Sequence, residues 1–363
     1  MRRKIACRVA SLCTLGGPLG KSIASIALVL LCLGTTLGSV APADGVSAGK
    51  YFDYSVTIIM ENNDLQTVLS HGSFEASHAG DYTLATGFSA ITHPSEPNYV
   101  ALLGGSTNGI TADGVCCYTI QASNLVDRLE FAGLTWKAFA ENATGSGTCS
   151  FSPPRRGDHF PFIVYADLNT SSRCTGFDST SGTQDPEFIN YLNTPQPSNY
   201  IWLTPNDLDN GHNSPYITAG DAYLAALVPK ILASNLFHTK RAALFIVYDE
   251  GKNVRCSTGG LDCIYASWSG PTTKKAFTSS EPYTHYSYLH TVEDNWELSS
   301  ITPNDANAPL MSEFFPGSPT GPSSTCPFCL PTGSLGILAI VVVLAGVVSA
   351  AILIVRSRRR RVS

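Results

Sequence analysis

The chain has 363 residues, of which 44% are hydrophobic and 14% are charged, and this length suffices for one large domain with an extended core. Its formal net charge of −5 hides an uneven distribution, because residues 1–43 and 356–363 carry basic side chains and no acidic ones. Residues 44–334 therefore hold 13 basic against 28 acidic residues, and this balance argues against a nucleic-acid-binding surface.

The first 43 residues have the pattern of a secretory signal peptide. Basic residues at the start are followed by an apolar run over 23–37 and by small residues at 41–43. An uncleaved N-terminal anchor is the alternative interpretation of the same pattern. In both cases the residues that follow are predicted to lie outside the cell.

Four apolar runs predict buried β-strands, and the segments between them predict helices. The predicted strands cover 54–60, 134–140, 200–204 and 242–248. The predicted helices cover 64–69, 98–103, 125–132, 188–192, 222–232 and 286–298. Two loop excursions are predicted over 141–185 and 251–281. Strands that alternate with helices predict an α/β fold, with a mostly parallel sheet covered by helices on both faces.

The C-terminal part predicts a membrane anchor. Residues 316–334 are rich in Pro, Gly, Ser and Thr and form a predicted extracellular stalk. Residues 335–355 carry no charge and are long enough to span a bilayer. The arginines of 356–363 follow directly and predict a cytoplasmic basic tail. The sequence thus predicts a single-pass protein of the cell membrane, with an extracellular domain over 44–315.

Cysteine usage agrees with an exported domain, because an even number of cysteines falls between the leader and the membrane span. Cys256 and Cys263 are spaced to close a short loop, whereas Cys326 and Cys329 fit either a plain disulfide or a redox or metal pair. The pairing of the remaining four is open. These four are Cys116, Cys117, Cys149 and Cys174.

Polar side chains follow three of the predicted strands directly. Glu61 and Asn62 come after the first strand, and Asp249 and Glu250 come after the last. Because the carboxyl ends of parallel strands meet at one edge of a sheet, these side chains are predicted to converge. Carboxylate and amide oxygens suit a divalent metal ion, whose identity the sequence leaves open. Taken singly, each of these residues also fits a helix cap or a surface turn.

Polar residues also follow the strand over 200–204. They are Asn206, Asp207, Asp209 and His212. The histidine fits either a site residue at the same edge of the sheet or a solvated loop.

Ser95 lies on a Pro-flanked turn directly before an apolar run that predicts a helix. A hydroxyl at that place faces the positive end of the helix dipole, where backbone N–H groups receive anions. Ser95 is therefore a candidate nucleophile for attack on a phosphate, and a plain helix cap is the alternative. His93 lies two residues earlier and fits either a residue that orients the hydroxyl or one that holds the turn.

Taken together, these motifs resemble those of the phosphoesterase family, which groups acid phosphatases with phospholipase C-type enzymes within the alkaline phosphatase superfamily. The matching segments occur in the family's order over roughly residues 54–315. They are 58–62, 93–99, 136–139, 159–162, 204–207 with 211–212, 220–221, 248–251 and 285–287 with 293–294. The resemblance implies an alkaline phosphatase-like α/β domain over 44–315.

The resemblance also implies roles for single residues. It implies Ser95 as the nucleophile, with His212 and His285 beside the phosphoryl group. It implies that Asn98, Lys137 and, less closely, His159 contact the substrate. It implies a metal ion held by four residues: Glu61, Asn62, Asp249 and Glu250. Asn210 stands where many relatives have an aspartate, so whether Asp207 or Asp209 has a role stays open.

The predicted function is metal-assisted hydrolysis of phosphate monoesters outside the cell, in the manner of an acid phosphatase. A phosphodiesterase or phospholipase C-type hydrolase is the nearer alternative. A non-catalytic cell-surface binding protein on a decayed phosphoesterase fold is the alternative from another class. The expected partners are the phosphate-ester substrate and, through the C-terminal helix, the membrane.

Overall fold

The computed structural model describes residues 48–115, 119–182 and 184–317. The predicted signal peptide, membrane helix, basic tail and most of the stalk lie outside these residues, as do Cys116, Cys117, Cys326 and Cys329. Among the helices of the described ranges, none combines the length and the apolar character needed to span a bilayer.

A six-stranded sheet forms the centre of the domain, and its order is β4-β3-β5-β1-β6-β7. The strands are β1 (Tyr54–Met60), β3 (Trp136–Glu141), β4 (Phe177–Thr180), β5 (Tyr200–Thr204), β6 (Ala242–Tyr248) and β7 (Ala266–Ser269). All neighbours are parallel except β6 and β7. A separate parallel pair joins β2 (Thr83–Ala85) to β8 (Phe277–Ser279).

The helices that surround the sheet differ in length. They are α1 (Leu65–His71), α2 (Ser73–Asp81), α3 (Ser95–Gly104), α4 (Leu125–Phe131), α5 (Arg156–His159), α6 (Pro186–Leu192), α7 (Ile217–Leu232), α8 (Asn235–Thr239), α9 (His285–Asn295) and α10 (Pro303–Ala306). Of these, α3 packs against α9, and α2 packs against both α1 and α7.

Helices cover both faces of the sheet, as predicted. On one face, the Thr57 hydroxyl of β1 lies 2.6 Å from the Tyr288 hydroxyl of α9. On the other face, the Tyr248 hydroxyl of β6 donates to Glu75 of α2 over 3.0 Å. Met60 pairs with Tyr248, so their side chains lie on the same face of the sheet. Thr57 lies three residues before Met60 on β1, so its side chain points to the opposite face. The predicted α/β class with a mostly parallel sheet is therefore confirmed.

The predicted strands 54–60, 200–204 and 242–248 agree with β1, β5 and β6 residue for residue. The two predicted loop excursions are wrong in part, because 141–185 contains β4 and 251–281 contains β7 and β8. These strands are short and rich in Ser and Thr, so they lack the apolar run that marks a central strand. Residues 160–165 also belong to the buried core and not to the surface.

Two disulfides occur in the described residues. Cys256 pairs with Cys263, as predicted, and Cys149 pairs with Cys174. The second bridge settles part of the pairing that the sequence left open.

Candidate active site

The first part of the site forms where β1 and β6 end side by side. Met60 and Tyr248 are paired in register, so Glu61 and Asp249 leave the sheet at the same height. The backbone N–H of Asn62 donates to Asp249 Oδ1 over 3.0 Å, and the Asn62 side chain donates to Glu61 Oε2 over 2.9 Å. Three of the four predicted metal ligands are thus joined by direct contacts.

Ser95 is the first residue of α3 and points at Glu61. Its hydroxyl donates to Glu61 Oε2 over 3.3 Å, and the residue is only 4% exposed. The helix begins at Ser95 after Pro94, and no side chain caps it. The interpretation of Ser95 as a plain helix cap is therefore wrong.

Glu61 is fully buried and receives contacts from two further side chains. The Tyr99 hydroxyl donates to Glu61 Oε1 over 2.6 Å. His159 Nε2 lies 3.2 Å from the same oxygen, and the His159 ring stacks on Tyr99. Neither ring nitrogen of His159 makes a hydrogen bond of good geometry with the described residues. Tyr99 lies within the motif over residues 93–99, but no feature of the sequence indicated that it contacts Glu61.

His212 joins this group from the segment after β5. Ligand atoms of Glu61, His159 and His212 lie within 4.8 Å of one another. Asp207 Oδ1 lies 3.4 Å from His159 Nδ1, whereas Asp209 is buried beside Asn206, whose amide lies 3.4 Å from its carboxylate. The structure thus places Asp207, and not Asp209, next to the pair formed by His159 and His212.

Asn98 is placed differently from the prediction of a phosphate contact. Its side-chain amide donates to the carbonyl oxygens of Thr92 and Pro94 and to Glu250 Oε2, over 2.8–3.2 Å. Its oxygen accepts from the N–H groups of Ile91 and Thr92. Asn98 is fully buried, and its hydrogen-bonding capacity is used in holding the turn before Ser95. The predicted substrate contact is therefore corrected to a role in the turn.

His285 contacts the backbone of Asp249 and not its carboxylate. Its Nε2 donates to the backbone oxygen of Asp249 over 2.6 Å, and its Nδ1 is buried without a partner among the described residues. Burial lowers the pKa of His285 to about 4, so the ring is neutral and Nδ1 carries no proton to donate. The prediction that His285 contacts the phosphoryl group is thus not supported by its position.

Lys137 lies at the wrong end of its strand for a substrate contact. It pairs with Ile201, which pairs with Val56, so it sits four residues before the end of β1, or about 13 Å from the site edge. Its ammonium group forms an ion pair with Asp178 over 3.0 Å.

We expect Lys137→Met to leave kcat/KM within about twofold of the wild-type value, because Lys137 lies about 13 Å from the site edge and its partly exposed ion pair contributes only about 1 kcal/mol to stability. Steady-state kinetics with p-nitrophenyl phosphate checks this. A loss of activity by a factor of about ten or more, a change of some 1.4 kcal/mol, would return Lys137 to the substrate contacts.

Three buried carboxyl groups that lie close together dominate the electrostatics of the site. Burial raises the pKa of Glu61, Asp249 and Glu250, and the charge of Asp249 raises the pKa of Glu61 and Glu250 further. Asp249 Oδ2 is buried and has no hydrogen-bond partner among the described residues. Buried carboxylates with free lone pairs are stable when a cation compensates them. The residues present therefore fit a divalent metal ion.

We expect the free energy of unfolding of the metal-free protein to fall as the pH rises from about 7 to about 9. The raised carboxyl pKa values mean that the folded protein holds protons that the unfolded chain has already released, so this stability is present at low pH and lost as the pH rises. Urea unfolding with a chelator measures it, and added Mg²⁺ should make the fall shallower. A free energy of unfolding that rises from pH 7 to pH 9 would show that the site carboxyl groups do not have raised pKa values in the folded protein.

The sequence model of the family described as "Phosphoesterase family" matches residues 70–299, which is more than half of the chain. The protein belongs to the phosphoesterase family. The matched range contains Ser95, His159, His212, Asp249 and Glu250, and it begins after Glu61 and Asn62.

Curated relatives of this phosphoesterase are similar at low identity. It is 25% identical to a probable acid phosphatase of Kluyveromyces lactis, over 75% of this chain and 64% of that protein. It is 25% identical to a phosphate-repressible acid phosphatase of Penicillium chrysogenum, over 72% of this chain and 63% of that protein. The chain thus spans somewhat less than two thirds of these two fungal relatives. It is 27% identical to a phosphatidylinositol-3-phosphatase of Mycobacterium tuberculosis, over 83% and 97%.

Solved structures with a similar fold have lower sequence identity to this chain than the curated relatives have. Phosphonate monoester hydrolase SpPMH from Silicibacter pomeroyi has a TM-score of 0.48 and 12% identity, over 75% of this chain and 78% of that chain. An alkaline phosphatase from the Antarctic bacterium TAB5 has a TM-score of 0.44 and 11% identity, over 70% and 100%. Scores of this size assign neither an activity nor a set of ligands to this chain.

Proposed function

We propose that this phosphoesterase-family protein hydrolyses phosphate monoesters and that Ser95 is its nucleophile. The observation that carries the proposal is the contact between the Ser95 hydroxyl, at the start of α3, and the buried Glu61 carboxylate. A helix N-terminus favours an anionic group, and the Glu61 carboxylate, ionised when a cation offsets its burial, is within hydrogen-bond distance to accept the hydroxyl proton. The acid phosphatases among the curated relatives support a monoester as substrate.

The proposal includes a divalent metal ion held by Glu61, Asn62, Asp249 and Glu250. When bound, such an ion supplies positive charge that neutralises phosphate oxygens and lowers the pKa of a nearby hydroxyl. The buried Asp249 Oδ2, which has no hydrogen-bond partner among the described residues, and the close packing of buried carboxyl groups support this part. His159 is a further candidate ligand, because its Nε2 lies 3.2 Å from Glu61 Oε1.

The reaction takes two displacement steps at phosphorus. In the first, Ser95 Oγ forms a bond to phosphorus while the bond to the leaving oxygen breaks, and the serine proton passes to Glu61. His212 is partly exposed next to His159 and is placed to give the leaving oxygen a proton. In the second, water attacks the phosphoserine and gives a proton to His212, the bond between phosphorus and Ser95 Oγ breaks, and Ser95 takes its proton back from Glu61 as phosphate leaves.

A panel of three substrates tests the proposal with the purified full chain in detergent. We expect hydrolysis of p-nitrophenyl phosphate to exceed that of bis(p-nitrophenyl) phosphate and of phosphatidylcholine. Preference for either of the latter two would make the protein a phosphodiesterase or phospholipase C-type hydrolase. Failure on all three, together with failure to bind any divalent ion, would favour a non-catalytic binding protein.

The proposed location is the outer side of the cell membrane, with the segment 335–355 as anchor. The apolar segment followed by arginines supports it, as do the two disulfides, which persist in oxidising compartments. Labelling of intact cells with a membrane-impermeant amine reagent tests it, since an internal domain would stay unlabelled.

A further inference from the structure

His93 lies between two carboxylates of the loop that follows β6. Its Nδ1 is 3.1 Å from Glu250 Oε2, and its Nε2 contacts Asp262 Oδ2. The His93 side chain is 33% exposed, whereas both carboxylates are buried. The two ring nitrogens thus face one carboxylate each, and the ring joins Asp262 to Glu250.

Asp262 also holds the backbone next to Glu250. The N–H of Gly251 donates to Asp262 Oδ2 over 3.2 Å. One carboxylate thus constrains Glu250 twice, through the following peptide and through the His93 ring. Asp262 is fully buried and has a left-handed backbone with φ of 45°, which is uncommon outside glycine and costs conformational energy.

The backbone around Asp262 is fixed from both sides. Its carbonyl oxygen accepts from the N–H of Ala90 over 3.1 Å, three residues before His93. The next residue, Cys263, donates its N–H to the Val254 oxygen over 2.6 Å and is bonded to Cys256. The short disulfide loop therefore presents Asp262 to His93 and to Gly251 at the same time.

We propose that Asp262 is a positioning residue that acts through His93 to fix the Glu250 carboxylate for binding of the divalent cation. The inference rests on the proposed function, because Glu250 is a ligand only if that function holds. Groups that orient a metal ligand typically change metal affinity by about 10- to 100-fold when they are removed.

The test measures Mn²⁺ binding to the full chain by titration calorimetry. Asp262→Asn keeps the size and left-handed tolerance of the side chain, and it should raise the Kd for Mn²⁺ about tenfold or more. His93→Gln, at a partly exposed position, should have a similar effect. The double variant should bind no more weakly than the weaker single variant, since both changes break one linkage. At saturating Mn²⁺, kcat of Asp262→Asn should return close to the wild-type value.

Asp185→Asn is the matched control. Asp185 is equally buried, has a left-handed backbone with φ of 41°, and accepts a hydrogen bond from Tyr223 over 2.6 Å. Its replacement should lower stability without changing the Kd for Mn²⁺.

Wild-type Mn²⁺ affinity in folded Asp262→Asn and His93→Gln would overturn the inference. The proposed function would survive that result if the wild-type protein still hydrolysed p-nitrophenyl phosphate. A wild-type protein that neither binds Mn²⁺ nor hydrolyses the monoester would remove both.

Discussion

Glu61→Gln is expected to lower kcat/KM by about a thousandfold, a loss of about 4 kcal/mol of transition-state stabilisation. The carboxylate of Glu61 accepts a hydrogen bond from the Ser95 hydroxyl and lies beside His159. It is also a predicted metal ligand. A neutral amide of the same shape keeps an oxygen for the Tyr99 hydroxyl but removes the charge. Kinetics with p-nitrophenyl phosphate at saturating metal measures the loss.

The same variant should not be destabilised in the absence of metal. Glu61 is fully buried next to Asp249, and burial with like charge raises its pKa, so removing the ionisable group relieves an unfavourable contact. We expect the free energy of unfolding in chelator at pH 8 to be equal to or above that of the wild-type protein. Lost stability with retained activity would show that Glu61 supports the fold and not the reaction.

Glu75→Gln is the control for Glu61→Gln. Glu75 is also buried, and burial raises its pKa to about 8. Like Glu61, it accepts a hydrogen bond from a tyrosine hydroxyl, that of Tyr248. It lies on α2, and its hydrogen bonds to residues outside that helix, within the described part of the chain, involve Asp221, Tyr248 and Tyr265, none of which is a predicted metal ligand. Activity within about twofold of wild type is expected, because no transition-state contact is lost.

Ser95→Ala is expected to abolish turnover, with a fall in kcat of about four orders of magnitude or more. The hydroxyl is the only group that this change removes, and Asn98 continues to hold the turn. The fold should therefore remain intact by circular dichroism, and Mn²⁺ should still bind through the carboxylates.

Ser55→Ala is the control for Ser95→Ala. Ser55 is fully buried near the start of β1, and its hydroxyl has no partner among the described residues. Its replacement should leave kcat unchanged. Wild-type turnover by Ser95→Ala would exclude Ser95 as the nucleophile.

The sheet was predictable where apolar runs mark central strands. Tyr54–Met60 and Ala242–Tyr248 are buried along their whole length, so their sequences are largely apolar and their ends are sharp. Phe177–Thr180 forms an edge strand and needs no such run. Helix Ser73–Asp81 contains a mixture of small and polar residues without clear apolar periodicity, so packing against α1 and α7 determines it.

The site was predictable where a strand end determines the position of a side chain. Glu61 and Asp249 follow paired residues of neighbouring strands, so the parallel sheet alone brings them together. The direction of a side chain and its partners depend on tertiary contacts that the chain order does not reveal. Asn98 was misplaced because its amide donates to Glu250, which is far away in the sequence, and to carbonyl groups of its own turn. Asp262 was missed because it lies in a predicted loop.

Acid-quenched labelling of the enzyme tests the role of Ser95 most directly. The wild-type protein is mixed with p-nitrophenyl phosphate, quenched in acid during turnover, digested, and analysed by mass spectrometry of the peptide that contains residues 91–99. We expect the added mass of one phosphoryl group on Ser95, and none in the Ser95→Ala variant. An actively turning-over wild-type enzyme that carries the phosphoryl group on another residue, or on none, would contradict the account.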